Sequence, residues 1–324
     1  EPSYFKAARK GDMVVVMRLV EEKIIDVNKS DRYRWTGLMY AIQNGHAAMA
    51  EYFLIRKANA NVQDKGGLTP LMIAANERHP EIVELLLQSG ADPARQDIHG
   101  YTALMWAIYN KSWDSIPLLL NTGKGLDLQN VFGETALHLA LDYRLPDIAA
   151  MLIQHHADVN IKDKKKRTPL HIAAERGDQT NVQLLIAKDA AVSARDEEGE
   201  TPLMKSIQSG HSEVSSMLIG KPQDLSLQNS QGLTALHLAV AANQPDIVSL
   251  LLKKKVPLNL RDRQGATPLM IASSYGLEKI TRLLVEAGAA VNMKNTKGKT
   301  ALELARAGRY EKIVEYLEGK NKKP

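Results

Sequence analysis

Residues 168–174 read Thr-Pro-Leu-His-Ile-Ala-Ala, and weaker copies of this stretch recur along the chain. A threonine returns every 33 residues, and a leucine stands two positions after each one. Asp or Asn stands five positions before each threonine, and a small residue five positions after it. Self-similarity at one fixed period indicates a repeat protein. The phase threonines are Thr36, Thr69, Thr102, Thr135, Thr168, Thr201, Thr234, Thr267 and Thr300.

Each repeat predicts a turn, a helix, a loop and a second helix. Thr168 followed by Pro169 is typical of an N-cap hydroxyl with proline at the first helical position. The second helix carries apolar triplets such as Leu85-Leu86-Leu87. The Asx column and a glycine three residues later supply turn chemistry between repeats. Because residues 7–11 fit the same template, we expect ten repeats, the first lacking its opening turn.

This pattern closely resembles the ankyrin-repeat family, whose repeats follow Asp-x-x-Gly-x-Thr-Pro-Leu-His-x-Ala-Ala. The resemblance covers essentially all of 2–319. It implies an all-α repeat solenoid of helix–loop–helix units with β-hairpin fingers, and a concave face built from fingertips and first helices. We therefore predict a single ankyrin-repeat domain over 1–319 and a basic C-terminal tail over 320–324. Arg34 and Lys166 replace the turn glycine, so we expect strained or reshaped fingers there.

Composition and motifs argue against catalysis. The chain of 324 residues has no cysteine, which removes disulfides, thiolate nucleophiles and Cys-ligated zinc. It has no HExxH, GxSxG, P-loop or GxGxxG pattern. His138, His171 and His237 share one column, in which we expect each to bond the backbone of a neighbouring turn. We therefore predict that the protein is not an enzyme and carries no metal and no cofactor.

Charge and hydropathy set expectations about partners and location. The net charge is only +5 and no run of 18 apolar residues exists, so we expect neither a nucleic-acid nor a membrane partner. We expect a monomer, with the cytoplasm as the default because no hydrophobic signal segment is visible. The chain starts inside a repeat, so a removed leader or a larger parent protein stays open. A bacterial protein delivered into a host cell is a further alternative.

Aromatic residues crowd into one part of the chain, since eleven of the 16 lie between Tyr33 and Tyr143. The resemblance implies that partners touch fingertips and the ends of first helices, where many of these rings stand. Tyr40 and Trp106 replace the usual Ile or Leu of the first helix, and we expect them to be partly exposed. Clustered exposed rings are typical of interface anchors, and filling of core gaps is the alternative. The predicted partner-binding rings are Tyr33, Trp35, Tyr40, Tyr101, Trp106, Tyr109, Phe132 and Tyr143.

Two neighbouring fingertips carry opposite charges. The sixth holds Lys164, Lys165 and Arg167 in a basic run, and residues 196–200 of the seventh are mostly acidic. One interpretation is a solvated pair of fingers joined by salt bridges, which contributes little to stability. The other is a basic ridge that binds an acidic segment, so these three cations join the predicted partner-binding residues.

These observations favour a non-catalytic protein–protein interaction scaffold. Its concave face would hold a partner protein or an extended peptide that carries apolar anchors and acidic residues. The alternative is a small-ligand or nucleotide sensor, in which the rings stack on a base and the basic finger takes phosphate. A thermal-shift screen separates the two, because a bound ligand raises stability by RT ln(1 + [L]/Kd).

Overall fold

The computed structural model describes residues 2–321, with side chains over 3–320. Across these residues the secondary structure consists of helices in consecutive pairs, and the contacts divide the chain into two compact units, residues 1–164 and 165–324. The N-terminal unit contains α1 (Pro2–Lys10), α2 (Met13–Glu21), α3 (Gly37–Gln43), α4 (Ala47–Ile55), α5 (Pro70–Asn76), α6 (Pro80–Gln88), α7 (Ala103–Tyr109), α8 (Ser115–Leu120), α9 (Ala136–Asp142) and α10 (Pro146–Gln154).

The C-terminal unit is also an all-α stack of helix pairs. It contains α11 (Pro169–Arg176), α12 (Gln179–Ala187), α13 (Pro202–Gln208), α14 (Ser212–Ile219), α15 (Ala235–Ala241), α16 (Pro245–Lys253), α17 (Pro268–Ser274), α18 (Glu278–Glu286), α19 (Ala301–Ala307) and α20 (Glu311–Asn321). Within each unit the first helices of successive repeats pack on one another, and second helices pack likewise, as α4 does on α6 and α16 on α18. The core of each repeat therefore lies between its own two helices and those of its neighbours.

Each phase threonine is the N-cap of a first helix, as the sequence predicts. Thr36 has extended backbone, and its hydroxyl accepts the Met39 amide at 3.3 Å. Where proline follows the threonine, as at Pro70, it opens the helix at a position whose N–H has no intrahelical partner. The leucine and small residue of the repeat are buried, as Leu38 and Ala41 illustrate. The all-α repeat fold and its helix–loop–helix units are thus confirmed.

The fingers are tight hairpin turns with little β structure. In one of them the Asp97 amide donates to the Tyr101 carbonyl at 3.0 Å, and Oδ1 of Asp97 accepts the amides of His99 and Tyr101. Among the described residues the only β pairing is an isolated bridge between Ser30 and Thr36. Single backbone bonds join successive fingers within each unit, such as the Val131 amide to the His99 carbonyl at 2.9 Å.

Two fingers keep the turn conformation without its glycine. In the third repeat this position is Gly67, whose backbone is left-handed and where an added Cβ would lie only 2.9 Å from the Asp97 Cα. Arg34 and Lys166 adopt the same left-handed region, with φ of 67° and 60°. An L residue pays roughly 1–2 kcal/mol for that conformation. The expected strain is therefore present, and these fingers keep the common turn shape.

The consensus histidines have a structural role, because they connect successive repeats. His171 and His237 are buried; Nδ1 of each lies within hydrogen-bond distance of its own cap threonine, and Nε2 contacts a backbone carbonyl of the next finger. The His171 Nε2 to Glu200 carbonyl distance is 3.0 Å. This agrees with the predicted structural role. Burial lowers the pKa of both imidazoles, because it disfavours the charged form.

Replacing His171 and His237 by methionine should make stability less sensitive to acid. The folded pKa values lie below the ordinary 6.5, so the unfolded state binds more protons as pH falls through 6.5. Stability is then fully present above pH 6.5 and falls below it, by up to about 1.4 kcal/mol per pH unit per histidine. Met72 already occupies this column and is buried. Urea unfolding at several pH values tests this, and an unchanged acid slope in the double variant would contradict it.

The last helix passes the predicted domain boundary at residue 319, because α20 runs to Asn321. The start of the predicted basic tail, Lys320, is therefore helical. Residues 322–324 of that tail, and residue 1 of the predicted domain, lie outside the described residues. Since the contacts define two units, the single domain over 1–319 stays a prediction.

Candidate partner-binding surface

Four of the predicted rings form one continuous chain in the N-terminal unit. The ring centroids of Tyr101 and Trp106 are 5.4 Å apart, those of Trp106 and Tyr109 are 6.0 Å apart, and those of Tyr109 and Tyr143 are 5.9 Å apart. Edge and tilted contacts at these distances hold aromatic pairs in fixed geometry. Tyr109 ends α7 and Tyr143 caps α9, so equivalent ends of two first helices bring their rings together. We call these four residues the ring chain.

Two rings of the ring chain, those of Tyr109 and Tyr143, are open to solvent. Tyr109 is 53 % exposed and Tyr143 is 41 % exposed. Tyr101 and Trp106 are half-buried beneath them. Burial and the nearby Tyr101 hydroxyl raise the pKa of Tyr143 to about 12. The faces of both exposed rings, and the neutral Tyr143 hydroxyl as a donor, are therefore available to a partner at neutral pH, as in interface hot spots.

Polar side chains four residues after the phase threonine bond the first helix to the finger of the same repeat. Oδ2 of Asp97 accepts the indole N–H of Trp106 at 3.1 Å. Oδ2 of Asp31 accepts the Tyr40 hydroxyl at 2.7 Å. Burial alone would raise the pKa of Asp31, but hydrogen bonds from Tyr40, Trp35 and Tyr33 outweigh it and lower that pKa. Asp31 therefore stays ionised, and the two hydrogen bonds fix both rings.

Tyr40 departs from the expectation of partial exposure, since only 8 % of it is exposed. Its hydroxyl bonds Asp31, and its ring packs against Phe5 at 5.8 Å and Trp35 at 5.1 Å between centroids. Arg9 covers the ring at 4.8 Å. Tyr40 is thus placed as a support for Trp35. Trp106 is half-buried, as expected.

Trp35 and Trp106 line a single cleft across the third repeat. The cleft has a volume of about 160 Å³, and its lining includes Leu68, Met72 and Ile73 of that repeat. The indole N–H of Trp35 donates to Oδ2 of Asp64 at 2.9 Å. The walls of this cleft depend on the orientations of the two indoles, which the spacing of residues in the sequence does not give.

Fingertips of the N-terminal unit add exposed apolar side chains. Phe132 is exposed, as are Ile98 and Val131 on the two joined fingers of repeats four and five. Tyr33 is exposed on the second finger, where the Arg32 guanidinium lies 4.7 Å from its ring centroid. Tyr33 and Phe132 therefore lie on separate fingers, outside the ring chain.

The predicted basic residues fall where the two units divide. Lys164 belongs to the N-terminal unit and is exposed, and its amide donates to the Phe132 carbonyl at 2.9 Å. Lys165 opens the C-terminal unit, is exposed, and its carbonyl accepts the Glu197 amide at 2.9 Å. Arg167 is half-buried.

The acidic seventh finger holds a cation of its own repeat. Lys205 lies on α13, and its Nζ is 2.6 Å from Oε2 of Glu200 and 3.0 Å from Oδ2 of Asp196. Asp196 and Glu200 are both buried. Burial alone would lower the pKa of Lys205, but the two carboxylates outweigh it and raise that pKa. Sequence reasoning missed this cluster, although a lysine in an aliphatic column was a signal.

Two features are absent from the part of the chain that the structure describes. Over residues 2–321, no group of three or more His, Asp or Glu side chains is arranged to hold a metal ion. No helix within this range is long and apolar enough to cross a membrane.

Comparison with known families identifies the class of protein. A family model described as ankyrin repeats, in three copies, matches overlapping segments that together extend from residue 4 to residue 323. The chain belongs to the ankyrin-repeat family. Ankyrin repeats are generally protein–protein interaction modules. The matched segments are residues 4–97, 38–130, 93–163, 144–229, 170–262, 216–295 and 256–323.

Curated relatives share a short part of the chain. It is similar to the proteins named "Ankyrin repeat, SAM and basic leucine zipper domain-containing protein 1" of Callithrix jacchus, Saimiri boliviensis boliviensis and Ateles geoffroyi. Each match is 40 % identical over 58 residues, which is 18 % of this chain and 12 % of the relative. The similarity therefore covers a small fraction of those proteins.

Proposed function

We propose that the protein is a non-catalytic scaffold that binds a partner protein or an extended peptide on the concave face of its N-terminal unit. The observation that carries this proposal is the ring chain, in which the exposed Tyr109 packs against both Trp106 and the exposed Tyr143, and Trp106 packs in turn against Tyr101. Rigid aromatic side chains bury a large area at low entropic cost, which suits them as anchors.

The surroundings of the ring chain fit an extended segment. Ile98, Val131 and Phe132 offer apolar contacts on the fingertips beside it. Lys164, with exposed charge on the finger bonded to that of Phe132, favours acidic residues in the same partner. Lys165 and Arg167 continue the basic run in sequence; they belong to the C-terminal unit and stay predicted partner-binding residues of their own finger. Exposed charges of this kind mainly raise association rates and set orientation.

Site-specific photo-crosslinking tests where a partner lies. A photoreactive phenylalanine analogue placed at position 109 or 143 should crosslink to a partner in an extract from the source cells. Tyr275 gives a matched control, because it stands in the same column as Tyr143 and is 60 % exposed in the C-terminal unit. We expect a crosslinked product at 109 and at 143, and a product at least about tenfold weaker at 275, because position 275 is exposed but lies outside the proposed site. Equal products at all three positions would contradict the proposal.

A further inference from the structure

We propose that the cleft between Trp35 and Trp106 binds one cationic side chain, lysine or arginine, of the partner. This inference rests on the proposed function and adds the chemistry of one partner residue. The cleft volume of about 160 Å³ leaves room for one long side chain. Its lining contains two indoles and one carboxylate, and none of its residues is cationic: Trp35, Gln43, Leu68, Met72, Ile73, Asn76, Glu77 and Trp106.

The two indoles are held in place by carboxylates. Asp64 accepts the N–H of Trp35, and Asp97 accepts the N–H of Trp106. Because their only polar hydrogens are already bonded, both rings offer a ligand their faces and edges. A carboxylate at the N–H also increases the electron density of the indole, which strengthens its attraction for a cation. Tryptophan is the aromatic side chain that attracts cations most strongly.

A relay of hydrogen bonds orients the carboxylate of the cleft. Nδ2 of Asn110 donates to Oδ1 of Asn76 at 2.7 Å, and Nδ2 of Asn76 donates to Oε1 of Glu77 at 2.9 Å. Asn76 ends α5 and Glu77 caps it, so the relay joins the ends of two neighbouring first helices. Glu77 is thereby fixed beside Asn76 within the cleft lining, where it can pair with a cation that reaches between the indoles.

Other occupants fit this lining less well. An anionic side chain would meet Glu77 in the cleft. An apolar side chain would take water from the Glu77 carboxylate without supplying an opposite charge, which is costly. A cation satisfies the carboxylate and both ring faces, while Leu68 and Met72 contact its aliphatic stem.

An NMR titration with small probes tests the cleft without the natural partner. The probes are n-butylguanidinium and n-butylurea, which have nearly the same shape and differ in charge. The indole N–H signals report on binding, and Trp113, which is 49 % exposed and absent from the cleft lining, gives an internal reference. We expect n-butylguanidinium to shift the signals of Trp35 and Trp106 while Trp113 stays in place, and n-butylurea to bind at least about threefold more weakly.

Glu77→Gln removes the charge and keeps the shape, so it should weaken n-butylguanidinium about two- to fivefold. Glu81→Gln on α6 is the matched control and should leave binding unchanged. Equal shifts with both probes, no shift at either cleft indole, or an unaffected Glu77→Gln variant would each overturn the inference. Crosslinks from position 109 would still support the proposed function in that case, so the two failures are distinguishable.

Discussion

Replacing Lys205 by methionine should lower the free energy of unfolding of the C-terminal unit by about 3–5 kcal/mol. Its ammonium lies between the carboxylates of Glu200 and Asp196, whose side chains are almost fully buried. Methionine fits the volume of the lysine stem but brings no charge. The variant would leave two uncompensated carboxylates close together in a largely buried site.

The carboxylates are also held by neutral partners, which keeps them in place after the substitution. Oε1 of Glu200 accepts Nε2 of Gln208 at 2.8 Å and Nδ2 of Asn229 at 3.1 Å. The raised pKa of Lys205 fixes the pH range of its contribution. A raised folded-state pKa means that the stabilisation is complete below the ordinary 10.5 and is lost as pH rises through the folded value.

Urea unfolding followed by circular dichroism measures this effect. Arg306→Met breaks an exposed ion pair with Glu318 in the same unit and should cost at most about 1 kcal/mol. The double variant Lys205→Met/Glu200→Gln removes one of the two stranded charges and should recover part of the loss. A loss no greater than that of Arg306→Met would show that the cluster contributes little.

Lys205 also illustrates what the sequence could and could not predict. It stands four residues after Thr201, just as Tyr40 and Trp106 stand four residues after their threonines. In each of these repeats the side chain bonds the Asp of its own finger: Asp196, Asp31 and Asp97. The 33-residue phase predicts the helices and caps, because local hydrogen bonds and burial determine them. These three side-chain bonds depend on rotamers that reach from the helix to the finger, and a repeat template does not specify rotamers.

The candidate surface was likewise predicted from the sequence only in part. The template placed Tyr109 and Tyr143 outward, and both are exposed. It predicted partial exposure for Tyr40, which is instead buried because its ring packs against Phe5 and Trp35 and its hydroxyl bonds Asp31. It also did not predict that Trp35 and Trp106 line one cleft across the third repeat. Contacts between residues one or two repeats apart decide such features, and a single sequence carries no direct record of them.

The double substitution Tyr109→Ala/Tyr143→Ala should weaken partner binding about 30-fold or more. Truncating one anchor at an interface hot spot costs about 2 kcal/mol or more, and each 1.4 kcal/mol is a factor of ten in affinity. Both rings are exposed and lie at helix ends, so their removal should change stability by less than about 1 kcal/mol. Tyr275→Ala removes an equally exposed ring from the equivalent column and should leave binding intact.

The most direct test is quantitative affinity capture from the source cells with three baits: the native chain, Tyr109→Ala/Tyr143→Ala and Tyr275→Ala. Each bait is first shown by circular dichroism to be folded. If the ring chain anchors a partner, the native chain and Tyr275→Ala recover the same protein, and its recovery with the double variant falls at least about tenfold. Equal recovery of every captured protein by all three folded baits would contradict the claim that this surface binds the partner.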